Sequence, residues 1–247
     1  MLKYKISYAV IFILVLFAWS YFSSQSNILR LFISSPLDIF NYFKSNSDLI
    51  IHSTLVTFSE AILGLVIATM FSFLIMIIGF YRPTVLAFTM PLLITSQTIP
   101  LIVLAPFFII LLGVGLSSKI AMAALLCFFP IVVNFNQGYV AISRNIHDLL
   151  KIYNTNRTFS IFKIYIPLAL PNIITGLKIS STLAIIGALV AEFSGANAGL
   201  GKLLFLSSIR LEPEIMMTCL IICSLIGLTF YGIMLLLERK LCKWFIN

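Results

Sequence analysis

The side chains able to act as nucleophile, base or metal ligand are few and far apart. The chain holds two histidines, His52 and His147, and four cysteines, Cys127, Cys219, Cys223 and Cys242. It has no C-x-x-C pair, and Cys219 and Cys223 have the i,i+4 spacing of two small hydrophobes on one helical face. No disulfide, metal site or cofactor is expected. No G-x-S-x-G elbow occurs, no pair of carboxylates shares a face, and no G-x-x-x-x-G-K-[ST] loop is present to cradle a nucleotide phosphate. Nucleophilic and metal-assisted catalysis therefore lack their parts, and the chain cannot hydrolyse ATP through a P-loop of its own. Two other kinds of chemistry remain: polar residues isolated inside apolar runs, and a short amphipathic segment near residue 150.

The elements that must position them are membrane helices. Of the 247 residues, 61% are hydrophobic and 10% charged, with a mean hydropathy of +1.11. Soluble domains run at about 45–50% apolar and 25% charged, so a water-soluble globule and a disordered chain are both excluded. Apolar runs lie at Ile6–Phe22, Leu55–Gly79, Thr84–Gly113, Ile120–Ala141, Leu170–Ala191 and Ile215–Leu237. Their lengths suit a bilayer crossing, which takes about 20 residues. The expected fold class is all-α, a polytopic membrane protein with six transmembrane helices. The first run is read as an uncleaved helix, although Ser24 and Ser26 imitate a cleavage site. The third is too long for a simple helix and is broken up by Pro91, Pro100 and Pro106.

The formal charge is +8. In a membrane protein such an excess reflects basic cytoplasmic loops rather than nucleic acid, and no nucleic-acid partner is expected. With the N-terminus inside, Lys3, Lys5, Arg82, Arg144, Lys151, Arg157, Lys163, Lys178, Arg239, Lys240 and Lys243 fall on the inner side. Only Arg30, Lys44, Lys119, Lys202 and Arg210 fall outside, together with Asp38, Asp48, Glu192, Glu212 and Glu214. The bias predicts an N-in, C-in protein.

The longest inner segment runs from about residue 142 to 168. Within it, Asn145–Asn154 reads as a short helix that Asn145 can cap, with Asp148 in the reciprocal position, and that Asn154 can end. Ile146, Leu149, Leu150 and Tyr153 fall at i, i+3, i+4 and i+7 and predict one apolar stripe, while Asp148 and Lys151 face elsewhere. Such a helix can lie flat on the membrane, pack beneath its own bundle, or enter a groove of a cytoplasmic partner, and periodicity does not separate the three. A second segment, Thr158–Tyr165, is expected to stop before Pro167.

The residues that follow carry a resemblance. Ile166-Pro167-Leu168-Ala169-Leu170-Pro171-Asn172-Ile173-Ile174-Thr175-Gly176-Leu177-Lys178 is similar to the L-P-x-A-L-P-x-I-x-x-G-L pattern of binding-protein-dependent, type I ABC importer permeases. Counting back from Pro167, the family's E-A-A-x-x-x-G coupling signature falls on Asp148-Leu149-Leu150-Lys151-Ile152-Tyr153-Asn154, with Asp for Glu, Leu-Leu for Ala-Ala and Asn for Gly. Thr98-Ile99-Pro100 through Ala105-Pro106, with Gly113-Val114-Gly115, resembles the I-P-x-x-x-x-A-P…G-x-G segment. Val190-Ala191-Glu192 through Gly199-Leu200-Gly201 resembles the V-A-E-x-x-G-x-x-x-G-L-G of the nitrate/sulfonate/taurine subgroup. The resemblance covers about Thr54 to Trp244. It implies a first helix and periplasmic segment at residues 1–53 and a transmembrane domain at 54–247. By the same resemblance the chain is the transmembrane subunit of an ATP-driven importer in the bacterial plasma membrane. Its implied partners are a cytoplasmic ATPase, an extracytoplasmic solute-binding protein and a second copy of the permease in the lipid bilayer.

Polar residues inside the apolar runs are costly there and become candidates for the solute pathway. Ser96 and Gln97 lie beside the proline breaks, and Asn134, Asn136 and Gln137 follow Pro130. Glu192 ends the fifth run, where it can line the pathway or hold the Gly195–Gly201 loop. Glu60 reads as an interfacial carboxylate near the outer surface, Lys178 as a snorkelling base at the inner mouth, and Gly176, Gly187, Gly227 and Gly232 as points of close helix approach. A membrane-embedded enzyme, a substrate-capture module and a secondary transporter are the rival readings. The first lacks catalytic parts, the second lacks a basic helix followed by L-P-x-A-L-P, and the third lacks related halves.

Overall fold

The computed structural model describes residues 33–242, with Leu14, residues 17–21 and Ser23. The first expected span, Ile6–Phe22, lies for the most part outside the described residues. The remainder is helical, with no strand among the described residues. Helix α1 (Pro36–Ser45) begins at a Ser35 cap, whose hydroxyl accepts from Asp38 N at 3.2 Å. Helix α2 (Ser47–Tyr81) follows directly; its 35 residues make about 52 Å of helix, longer than a bilayer core of about 30 Å.

Helices α3 (Pro83–Ser96) and α4 (Leu101–Leu112) form the expected broken span, bent by 108°. Pro100 has no N–H and biases Ile99 away from the helical region, which ends α3 at the elbow. Backbone groups freed there find local partners. The hydroxyls of Thr95, Ser96 and Thr98 donate to the carbonyls of Pro91, Leu93 and Thr95 at 2.7–2.9 Å.

Helix α5 (Leu116–Val140) leads through residues 141–143 to the short α6 (Arg144–Ile152). Helix α7 (Arg157–Ser160) then passes through a π turn (Ile161–Tyr165) into α8 (Ile166–Phe193). Pro167 therefore does not stop this segment. It sits in the first turn of α8, where the π turn has already shifted the hydrogen-bond register and a missing N–H costs little. Helix α9 (Leu200–Arg210) and α10 (Pro213–Leu241) complete the described chain. Four stretches are long and apolar enough to cross a membrane: α2, α5, the continuous rod of residues 157–193, and α10. The bent α3–α4 pair makes a fifth if counted as one span.

Helix α5 lies at the centre, packed against α8 and α2. At one crossing Ala123 of α5 sits between two glycines. A Cβ on Gly64 would lie 2.5 Å from its Cβ, and one on Gly187 2.6 Å from its Cα, so any larger residue would push the helices apart. Gly176 packs against Pro130 in the same way. Gly227 and Gly232, expected in this role, have room for a methyl group. Reciprocal bonds tie α5 to α8 nearby: Ser180 Oγ donates to the Cys127 carbonyl at 2.8 Å, and Cys127 Sγ donates to that of Ser180 at 3.2 Å.

Candidate functional site

The α6 helix is capped by Ser143, not Asn145: the Ser143 hydroxyl accepts from Asn145 N at 3.3 Å. Asn154, at φ +46°, ends the turn as its residue type allows. The apolar stripe divides. Ile146 and Leu150 turn partly toward the bundle, along with His147, while Leu149, Ile152 and Tyr153 stand 51%, 77% and 76% exposed. Ile152, three residues after Leu149, extends this exposed face although the i, i+3, i+4, i+7 spacing from Ile146 does not include it. Asp148, Lys151 and Asn154 are also exposed. Phe159 and Phe162 follow, each about half exposed, so this end of the molecule carries an apolar surface beside basic side chains.

The elbow carries Ser96, half-buried, and Gln97, exposed, with Pro100 and Pro106 exposed as well. Asn134 is half-buried on α5 and donates to the Pro130 carbonyl at 2.8 Å, so its amide finds a partner within its own helix. On α8 the Thr175 hydroxyl likewise donates back to the Pro171 carbonyl at 3.0 Å.

A buried polar joint lies toward the other end of α2, about 36 Å from Tyr81 by helix rise. Glu192 is 1% exposed; its Oε1 accepts from the Thr57 hydroxyl at 2.7 Å and its Oε2 from Gly201 N at 2.6 Å. Thr57 in turn accepts from Leu200 N at 2.9 Å. The carboxylate thus takes up the free N–H groups at the start of α9 and ties them to α2 and α8. Gly199, at φ +117°, has no room for a side chain, since its Cβ would fall 2.2 Å from the Glu192 carboxyl carbon. Together Glu192, Gly199 and Gly201 account physically for the spacing of the A-E…G-L-G stretch. Thr57 and Lys119 carried no signal in the sequence that marked them as members of this site.

Glu60 is not interfacial. It is fully buried beside Glu192 and forms an ion pair with Lys119 at 3.1 Å, whose side chain is itself 9% exposed. The pair is read correctly only when α2 and α5 are seen packed. Removing one partner, as in Glu60→Ala or Lys119→Ala, should cost about 3–5 kcal/mol by leaving a buried charge uncompensated. Thermal unfolding in detergent should show this, and a Glu60→Met, Lys119→Met double variant should recover most of the loss. Lys178 also has a partner, Glu238 of α10 at 2.8 Å. Among the described residues no cluster of His, Cys, Asp and Glu is arranged to hold a metal ion.

Comparison with known proteins agrees with this layout. Residues 71–243 match the family described as the binding-protein-dependent transport system inner membrane component. The formylaminopyrimidine transport permease ThiX of Halalkalibacterium halodurans is 34% identical over 74% of this chain and 73% of its own. The aliphatic sulfonates transport permease SsuC of Bacillus subtilis, described as putative in function, is 31% identical over 67% of this chain and 60% of its own. The fold is similar to the inward-facing MetNI methionine ABC transporter, with a TM-score of 0.68 at 16% identity over 78% of this chain and 96% of that one. With five apolar crossings at most among the described residues, and a family match spanning the elbow, α6 and Glu192, the chain belongs to the binding-protein-dependent ABC permeases, as a multi-pass, inner-membrane transport subunit of the importer type.

Proposed function

We propose that this permease forms, with a second copy of itself, the membrane path of an importer for a small neutral or zwitterionic solute, and that α6 docks into a cytoplasmic ATPase. In this reading the chain has six spans, N-in and C-in. The N-terminal helix and periplasmic segment occupy residues 1–53, and the transmembrane domain begins near residue 54. The observation that carries it is the exposed apolar face of α6, Leu149, Ile152 and Tyr153, which none of the described residues covers. A chain without its own P-loop must receive work from a partner, and this face, set among Arg144, Lys151 and Arg157, is the surface that fits one. The exposed elbow with Ser96 and Gln97 supports a pathway between two copies, with Asn134 and Glu192 as further candidates along it.

The solute class follows from charge. Among the described residues, the cations inside the apolar stretches, inward of the exposed Lys163 in the π turn and of Arg239 and Lys240 at the end of α10, are Lys119 and Lys178, and both are paired with glutamates. No free cation is left there to hold an anion, so uptake of an aminopyrimidine of the ThiX kind is favoured over that of a sulfonate. Affinity purification from detergent-solubilised membranes should recover an ATP-hydrolysing P-loop protein. Proteoliposomes of that complex with its binding protein should accumulate labelled formylaminopyrimidine and not an aliphatic sulfonate. Recovery without any ATPase sinks the coupling reading, and preference for the sulfonate sinks the solute reading alone.

A further inference from the structure

We propose that His147 is a strut that carries movement of α6 into the membrane helices, a positioning role that rests on the ATPase-docking reading above. Helix α6 packs along none of the long helices. A cavity of about 410 Å³ separates it from them, lined by Phe80, Tyr139, Leu150 and Tyr165 among others. His147 bridges that space. Its Nδ1 lies 3.0 Å from the Tyr165 hydroxyl, and its ring is 5.1 Å from that of Tyr165 and 5.7 Å, edge-on, from that of Tyr139.

The contact continues inward as a column of rings. Tyr139 and Tyr165 meet Phe80 at 4.7 and 5.9 Å, Phe80 meets Phe135 at 5.9 Å, and Phe135 meets Phe73 at 5.1 Å. One line of contact therefore joins α6 to the π turn, α5 and α2. Close-packed rings are poorly compressible and pass a displacement on, where a flexible side chain would absorb it. The covalent connections are looser, running through residues 141–143 and through the left-handed turn at Asn154. A second tether converges on the same place. Arg157 Nη2 donates to the Phe80 carbonyl at 2.6 Å, capping the end of α2, and its guanidinium lies over the Tyr81 ring. Phe80 is the residue at which both routes enter the bundle.

The test uses the permease with its ATPase in proteoliposomes. The four native cysteines are replaced by alanine, and Gln97→Cys reports the elbow. Two quantities are read: ATP hydrolysis by the co-purified ATPase, and the change that ATP with vanadate produces in the rate of maleimide labelling at Gln97→Cys. In His147→Ala the ATPase should still co-purify and hydrolyse ATP, while the nucleotide-dependent labelling change shrinks about tenfold. Tyr165→Phe removes only the hydrogen bond and should shrink it about threefold. His147→Phe keeps a ring but not the hydrogen bond, so it should recover the response only to the level of Tyr165→Phe. Loss of the ATPase from the His147→Ala complex would make the residue part of the docking surface and overturn the proposal. An unchanged labelling response in both His147→Ala and Tyr165→Phe would overturn it too. If the unsubstituted protein recovers no ATPase, it is the docking reading that fails, so the two failures are distinct.

Discussion

Glu192→Ala is expected to lower stability by about 3–5 kcal/mol, seen as a drop of about 10 °C in the midpoint of thermal unfolding in detergent. The carboxylate serves two donors inside the protein, Thr57 Oγ1 and Gly201 N; when it is gone the Thr57 hydroxyl keeps the Ser53 carbonyl at 3.1 Å, while the buried Gly201 N loses its acceptor. Its loss also removes the tether that fixes the start of α9. Glu192→Gln keeps one acceptor oxygen but turns a donor toward the other partner, and should lose about half as much. Gly199→Val attacks the same joint from the other side. Its Cβ would occupy the place of the Glu192 carboxyl, at a backbone φ that a branched side chain does not tolerate. Because both changes break one joint, the Gly199→Val, Glu192→Ala double variant should be little worse than the worse single one. Simple additivity of the two losses would show that the joint is not a unit.

The second large effect is expected at α6. Leu149→Asp combined with Ile152→Asp should weaken ATPase binding by at least about a thousandfold, measured as recovery of the ATPase over a concentration series. Burying each aliphatic side chain is worth about 1.5–3 kcal/mol, and an aspartate in its place would carry an unpaired charge into an apolar groove. Leu150→Ala supplies the contrast. Leu150 turns toward the cavity under α6, so it should change binding by less than about threefold, within the range of a site that lies off the contact. A larger effect at Leu150 than at Ile152 would mean that α6 presents the opposite face. Retained binding in the double aspartate variant would mean that the exposed face lies on lipid headgroups instead.

The apolar runs showed where the long helices lie because a helix in a bilayer must satisfy its backbone internally and bury some 20 apolar side chains. Their ends were less legible. Helix α2 starts at Ser47, eight residues before the run drawn from Leu55, since Asp48 and His52 interrupt the hydropathy without interrupting the hydrogen bonds. Pro167 looked like a stop, and the π turn that makes it harmless leaves no mark in residue type. Glu60 looked interfacial because one chain segment says nothing of the lysine that meets it from another.

Composition and periodicity were enough to establish a helical membrane protein, because membrane crossing and backbone satisfaction are properties of single segments, and the four motif stretches carried the resemblance to the permease family. Which side of α6 is open, that Glu192 closes a joint with Thr57 and Gly201, and that His147 stands across a cavity were decided only by the packed structure. Each depends on distances between residues far apart in the chain, and neither hydropathy nor spacing encodes those distances.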